Sequence, residues 1–169
     1  MMGWLNIFAD GFEFSFMVSI AIVAIVITDP RLLLHRMPDE VQEKLQPKTN
    51  LEVKKTIIVG IGMKIFVFLY LMRFLEKFSY IDNFIARYIV CFVYSFLVLL
   101  YFCIWDFIVF DCVGFFILEK LNWTFYKGIN PSLFRNYHFH LKRCVVGMRN
   151  SVKFSLVSAL ISTVIFHFD

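Results

Sequence analysis

The chain has 169 residues, 60% apolar, 19% aromatic and 18% charged, with a formal net charge of +4 and a mean hydropathy of +0.73. Soluble domains are about 45–50% apolar and about 25% charged, so a disordered chain is excluded and a soluble single-domain enzyme is disfavoured. One compact unit over 1–169, resident in a membrane, is the expectation.

The first 13 residues hold no Lys or Arg but carry Asp10 and Glu13. A cleavable signal peptide needs a basic start, so none is expected. Apolar character then runs from Phe12 to Thr28, with Glu13 at its edge, and reads as a first span.

The segment 29–55 contains six Lys/Arg residues. Within it, Pro38-Asp39-Glu40 opens a short helix, since Pro and acids suit a first turn. Val41 and Leu45 share a face, and Pro47 ends the helix. The expectation is a short amphipathic helix at the membrane surface. Thr49 and Glu52 have capping-box spacing, so a second helix starts near Asn50.

The second span covers about 56–75 and is interrupted by Lys64, which lies about 12 Å inside it. The third runs from Phe84 to about Phe110 and continues to Leu118, interrupted by Asp106 and Asp111. It would extend about 52 Å as one helix, more than a bilayer needs. Without Pro or Asn in the run, one long tilted helix is expected, with Gly114 as the place for any break. The fourth span covers 151–168, with Ser151, Ser155, Ala159 and Thr163 at i,i+4 and Ser158 and Ser162 beside them. Such a small-residue stripe suits close helix packing.

Charge counting supports four spans. The segment 119–153 holds seven Lys/Arg residues, and the connection 76–83 holds only Lys77. Positive loops mark the cytoplasmic side. Four spans put both basic segments, 29–55 and 119–150, on that side and both termini outside; five would separate them. The expected fold is therefore all-α: an integral membrane four-helix bundle, most naturally in a bacterial cytoplasmic membrane.

A lone charge inside a membrane is costly. Lys64 and Asp106 are at similar depth on antiparallel neighbours, so they form a candidate polar core, with Asp111 nearby. Asp111 follows Asp106 by five residues, about 140° round a regular helix. A paired-carboxylate site is disfavoured on that geometry unless the helix breaks. His138 and His140 point the same way only in an extended segment. With Glu119 they form a candidate cytoplasmic site and weak metal ligands, and no cofactor signature accompanies them. Arg135, Lys142 and Arg143, interleaved with aromatics, read as lipid-facing cations on anionic headgroups. The same composition suits nucleic acid, but adjacent spans explain it, and no nucleic-acid partner is expected. Cys91, Cys103, Cys112 and Cys144 form no disulfide or zinc pattern. The sequon Asn122-Trp123-Thr124 falls on the cytoplasmic side and should be silent.

Trp105-Asp106 to Asp111, then Asn130-Pro131, then Tyr137-His138-Phe139-His140, resembles a group of small bacterial multi-span proteins of unknown function. The likeness covers 104–147 and implies that these polar residues form one cytoplasm-facing unit, with no activity attached. The leading function is a non-enzymatic binding, accessory or structural subunit. Its partners would be the bilayer, anionic lipid, and a second copy or another membrane subunit. The alternatives are a small-solute or proton-coupled transporter using Lys64 and Asp106, and a membrane-embedded enzyme with an Asp/His site.

Overall fold

The computed structural model describes residues 4–121, 124, 126 and 128–168. The chain is all-helical, with no strand among the described residues. Helix α1 spans Trp4–Thr28, α2 Asp39–Glu43, α3 Asn50–Leu75, α4 Phe84–Trp105, α5 Phe115–Lys120 and α6 Tyr137–Phe168. Between α4 and α5 lies a π-helical stretch, Asp106–Gly114. Four helical stretches are long and apolar enough to cross a membrane: Asn6–Thr28, Asn50–Phe78, Phe84–Lys120 and Pro131–Phe166. The sequon at Asn122 falls partly outside the described residues.

The helix starts follow local chemistry. Thr49 and Glu52 form a reciprocal capping box, so α3 begins at Asn50. Asn83 caps α4 through its side chain to the Ala86 N–H. Arg87, buried against the turn before α4, donates to the carbonyls of Ile81 at 2.6 Å and Ser79 at 2.8 Å. It satisfies turn carbonyls that no helix bond covers. Helix α6 begins 14 residues earlier than the fourth span expected at 151, so Lys142, Arg143 and Arg149 sit on a helix rather than in a loop.

Helices α4 and α6 form the most extensive pair, followed by α1 with α4. The small-residue stripe makes the first possible. Ser151, Ser155, Ser158, Ala159, Ser162 and Thr163 are all buried. Cys91 and Cys103 meet Ser162 and Ser151 at 3.9 and 3.5 Å, and a Cβ on Gly147 would stand 3.3 Å from the Cys103 sulfur. Small side chains bring backbones together, and dispersion between them follows. On α1, a Cβ at Gly11 would lie 2.9 Å from the Tyr101 ring, so only glycine permits that approach without movement.

Helix α3 is held differently. Leu71, Phe74 and Leu75 at its far end are buried, whereas none of residues 50–70 is. That far end is tied to α1 by polar contacts. Tyr70 donates to Glu13 at 2.6 Å, Arg73 pairs with Glu13 at 3.2 Å, and Lys77 pairs with Asp10, which also accepts from Tyr94. The start of α3 is tied to the preceding connection, where Lys48 donates to Thr56 at 2.9 Å and Arg31 pairs with Glu52 at 3.2 Å.

A second apolar cluster closes the end of the bundle that carries the two basic connections. Val41, expected to face a membrane surface, is instead fully buried there with Leu34, Met37, Phe115, Tyr126 and Phe134. Tyr126 donates to the Pro30 carbonyl at 2.7 Å, stitching the two connections together.

Candidate functional site

The polar groups of interest converge where α4 gives way to the π-helical stretch. A π turn closes an i→i+5 hydrogen bond, so residues five apart come onto one face. Asp106 and Asp111 are five apart, and both line one cavity of about 320 Å³. The sequence argument that these acids diverge by 140° holds for a regular helix and fails here, because the backbone is not α-helical between them. Gly114 fits the same geometry: a Cβ on it would press to 3.2 Å of the Val109 carbonyl, five residues back. The rod is continuous through Lys120, so neither a break nor a re-entrant half occurs at Gly114.

The cavity lies between α1, the 30–36 turn and the π stretch. Its walls are hydrocarbon, from Ile22, Val26, Phe110 and Leu118 among others, and its polar groups are Arg36, Arg143, Asp106 and Asp111. Arg143 is turned inward and donates to the Arg36 carbonyl. It was expected to face lipid with Arg135 and Lys142. Of those three Lys142 is exposed and makes no ion pair among the described residues, whereas Arg135, also exposed, pairs with Glu119 at 3.0 Å and bonds Tyr137 at 2.7 Å.

His140 is the most enclosed polar side chain of the site, 1% exposed. Its Nε2 lies 2.8 Å from the Phe134 carbonyl, and its Nδ1 lies 3.0 Å from Asp111 Oδ1, at ion-pair distance without full hydrogen-bond alignment. The ring stacks on Phe115 at 5.0 Å. A carbonyl only accepts, so Nε2 carries a proton. Beside this pair, the cavity end carries the two guanidinium groups of Arg36 and Arg143 and the Asp106 carboxyl.

His138 does not join this group. It sits on α6 two residues before His140, about 200° away, and is exposed. The extended geometry that would have aligned the two rings does not occur. Among the described residues no three His, Cys, Asp or Glu side chains are grouped to hold a metal. Glu119 is engaged by Arg135 rather than by either histidine.

Lys64 and Asp106 are not brought together. Lys64 is exposed, forms no ion pair among the described residues, and lines a second cavity of about 400 Å³ between α1, α3, α4 and α6. Similar depth does not imply a shared azimuth, and α3 turns Lys64 towards the gap instead. Arg36, absent from the sequence candidates, lines both cavities. At the rim of the second, His35 is held below its ordinary value by partial desolvation and by the neighbouring cations Lys48 and Arg36, which keeps it neutral at pH 7. No family profile, curated protein or solved structure matches the chain, and the likeness over 104–147 rests on the quoted residues alone.

Proposed function

We propose that this chain is a four-span integral membrane protein that binds an amphiphile with an anionic head, as a binding protein rather than a catalyst. The carrying observation is the 320 Å³ cavity, walled by hydrocarbon and ending in Arg36, Arg143 and Asp106. Ligand sites combine an apolar wall with a few convergent polar groups that orient the guest. A phosphodiester suits the two guanidinium groups of Arg36 and Arg143, which bond such oxygens in a fixed fork.

Membrane residence is supported by the outward faces of the helices. On α3 alone, Ile57, Ile58, Ile61, Ile65 and Leu69 are each more than half exposed. A protein dissolved in water rarely displays so large an apolar face. The basic connections lie at one end of the bundle, which makes that end cytoplasmic by the positive-inside rule and leaves both termini outside. The charge and aromatic pattern of Lys120, Arg135 and Tyr137 then lies at headgroup depth.

A second reading has one observation in its favour. Two carboxylates share a π-turn face next to an imidazole, which is an acid–base grouping. It would make the bound amphiphile a substrate.

The test has two parts. Single cysteines at Leu45, Tyr80 and Asn130, in a chain with its native cysteines replaced, should react with an impermeant thiol reagent from outside only at position 80. Protein purified in mild detergent should retain phospholipid by native mass spectrometry. The variant Arg36→Gln with Arg143→Gln should retain at least tenfold less. Equal retention by that variant overturns the assignment of the anionic head to Arg36 and Arg143, outside labelling at 45 overturns the topology, and a hydrolysed product moves the assignment to the enzyme reading.

A further inference from the structure

We infer that the ligand is a two-chain amphiphile of the glycerophospholipid type, seated astride Leu33 and Arg36 with one chain in each cavity. This rests on the binding role proposed above and specifies the guest. The cavities adjoin: Ile22, Leu33 and Arg36 line both. A head held at Arg36 therefore has two apolar exits. The first leads along the α1 residues Val23 to Ile27 towards the π stretch. The second runs along α3 from Thr56 to Val67, about 16 Å of helix, and ends against Phe14 and Phe154.

Both cavities are walled mainly by hydrocarbon, and apolar cavities hold hydrocarbon guests better than water. A single-chain guest would leave one apolar chamber empty beside its own head. Void space loses dispersion contacts on its lining.

Three features of α3 fit a chain lying beside it. No residue from 50 to 70 is buried. Gly60 lines the second cavity, and a Cβ on it would meet nothing within 4 Å. Lys64 lines the same cavity without an ion pair among the described residues. Helical side chains lean towards their own N-terminus, which for α3 is the end bearing Arg36. The Lys64 stem can thus lie along a chain while its ammonium reaches for the head.

The experiment compares diacyl phosphatidylglycerol with its monoacyl counterpart, which has the same head and one chain. The full-length protein is delipidated in detergent, offered equal concentrations of both, and read by native mass spectrometry. Diacyl lipid should be retained at least tenfold over monoacyl. Gly60→Phe, which places a ring in the second cavity, should erase that preference by lowering diacyl retention alone, with elution profile and helicity unchanged. Equal retention of the two lipids by the unmodified protein, or an unchanged preference in Gly60→Phe, overturns the inference. The variant Arg36→Gln with Arg143→Gln separates the two proposals. If it keeps full retention and the diacyl preference, the head assignment fails and the two-chain seat stands. Loss of both lipids in that variant supports the head assignment.

Discussion

The His140–Asp111 contact offers the sharpest test of the site's energetics. His140→Phe keeps an aromatic ring stacked on Phe115 and removes both nitrogens. The bond to the Phe134 carbonyl accounts for about 1 kcal/mol. The stranded Asp111, whose side chain is 17% exposed, adds about 2 kcal/mol, below the 3–5 kcal/mol typical of breaking a fully buried pair. The single variant should therefore lose about 3 kcal/mol. Asp111→Asn alone should lose about 2 kcal/mol, since the imidazole then faces a neutral amide. The double variant should lose about 3 kcal/mol rather than the sum of 5, because no lone charge remains. Dodecyl sulfate titration in mixed micelles, followed by far-UV circular dichroism, gives each value. A coupling below about 0.5 kcal/mol would refute the claim that the two residues act as one unit.

Other expectations follow from the same structure. Lys64→Met and Asp106→Asn should be additive within about 0.5 kcal/mol in that titration, because the two line different cavities; strong coupling would place them together after all. Ala159→Leu should cost about 1–3 kcal/mol through overpacking between α4 and α6, whereas Val157→Leu, half exposed, should stay within about 0.5 kcal/mol. Tyr126, outside the four long helices, has its hydroxyl pushed up to about 12 by burial and, secondarily, by Asp29. Its contribution is complete below its unfolded value near 10 and is lost as pH rises towards 12, up to roughly 2–3 kcal/mol. Tyr126→Phe should flatten that part of the stability profile, and a slope that persists in the variant would assign it to another group.

Several elements were legible because their signals are local. Thr49 and Glu52 announced the start of α3, and the Ser/Ala/Thr stripe announced the face of α6 that α4 covers. The cations of 29–55 and 119–153 were read as two basic loops, but Lys54, Lys55, Lys142, Arg143, Arg149 and Lys153 lie on α3 and α6. What was not legible depends on rotation about helix axes. Lys64 and Asp106 match in height, but height leaves the direction in which each side chain leaves its helix undetermined. Arg143 was grouped with Arg135 and Lys142 by charge alone, although only Arg143 turns into the cavity. The π stretch was hidden because no residue type codes for it; the one hint, Gly114, reads equally as a break. Arg87 has no pattern marking it as a buried clamp, since what it satisfies are carbonyls of the preceding turn.

The widened turn at Asp106–Gly114 also bears on how the chain can change in length. In an ordinary helix, removing one residue swings everything beyond it by about 100°. Within α4 that would tear Cys91, Tyr94 and Val98 from their partners. A turn closed by i→i+5 bonds holds one residue more than its i→i+4 counterpart. Loss of a residue between Asp106 and Asp111 can be absorbed by tightening that turn, and the acids would then stand four apart, still on one side of the rod. The stretch is thus a slack link in an otherwise rigid gear train, where a single-codon deletion can pass with Phe115 still engaging Phe134 and His140.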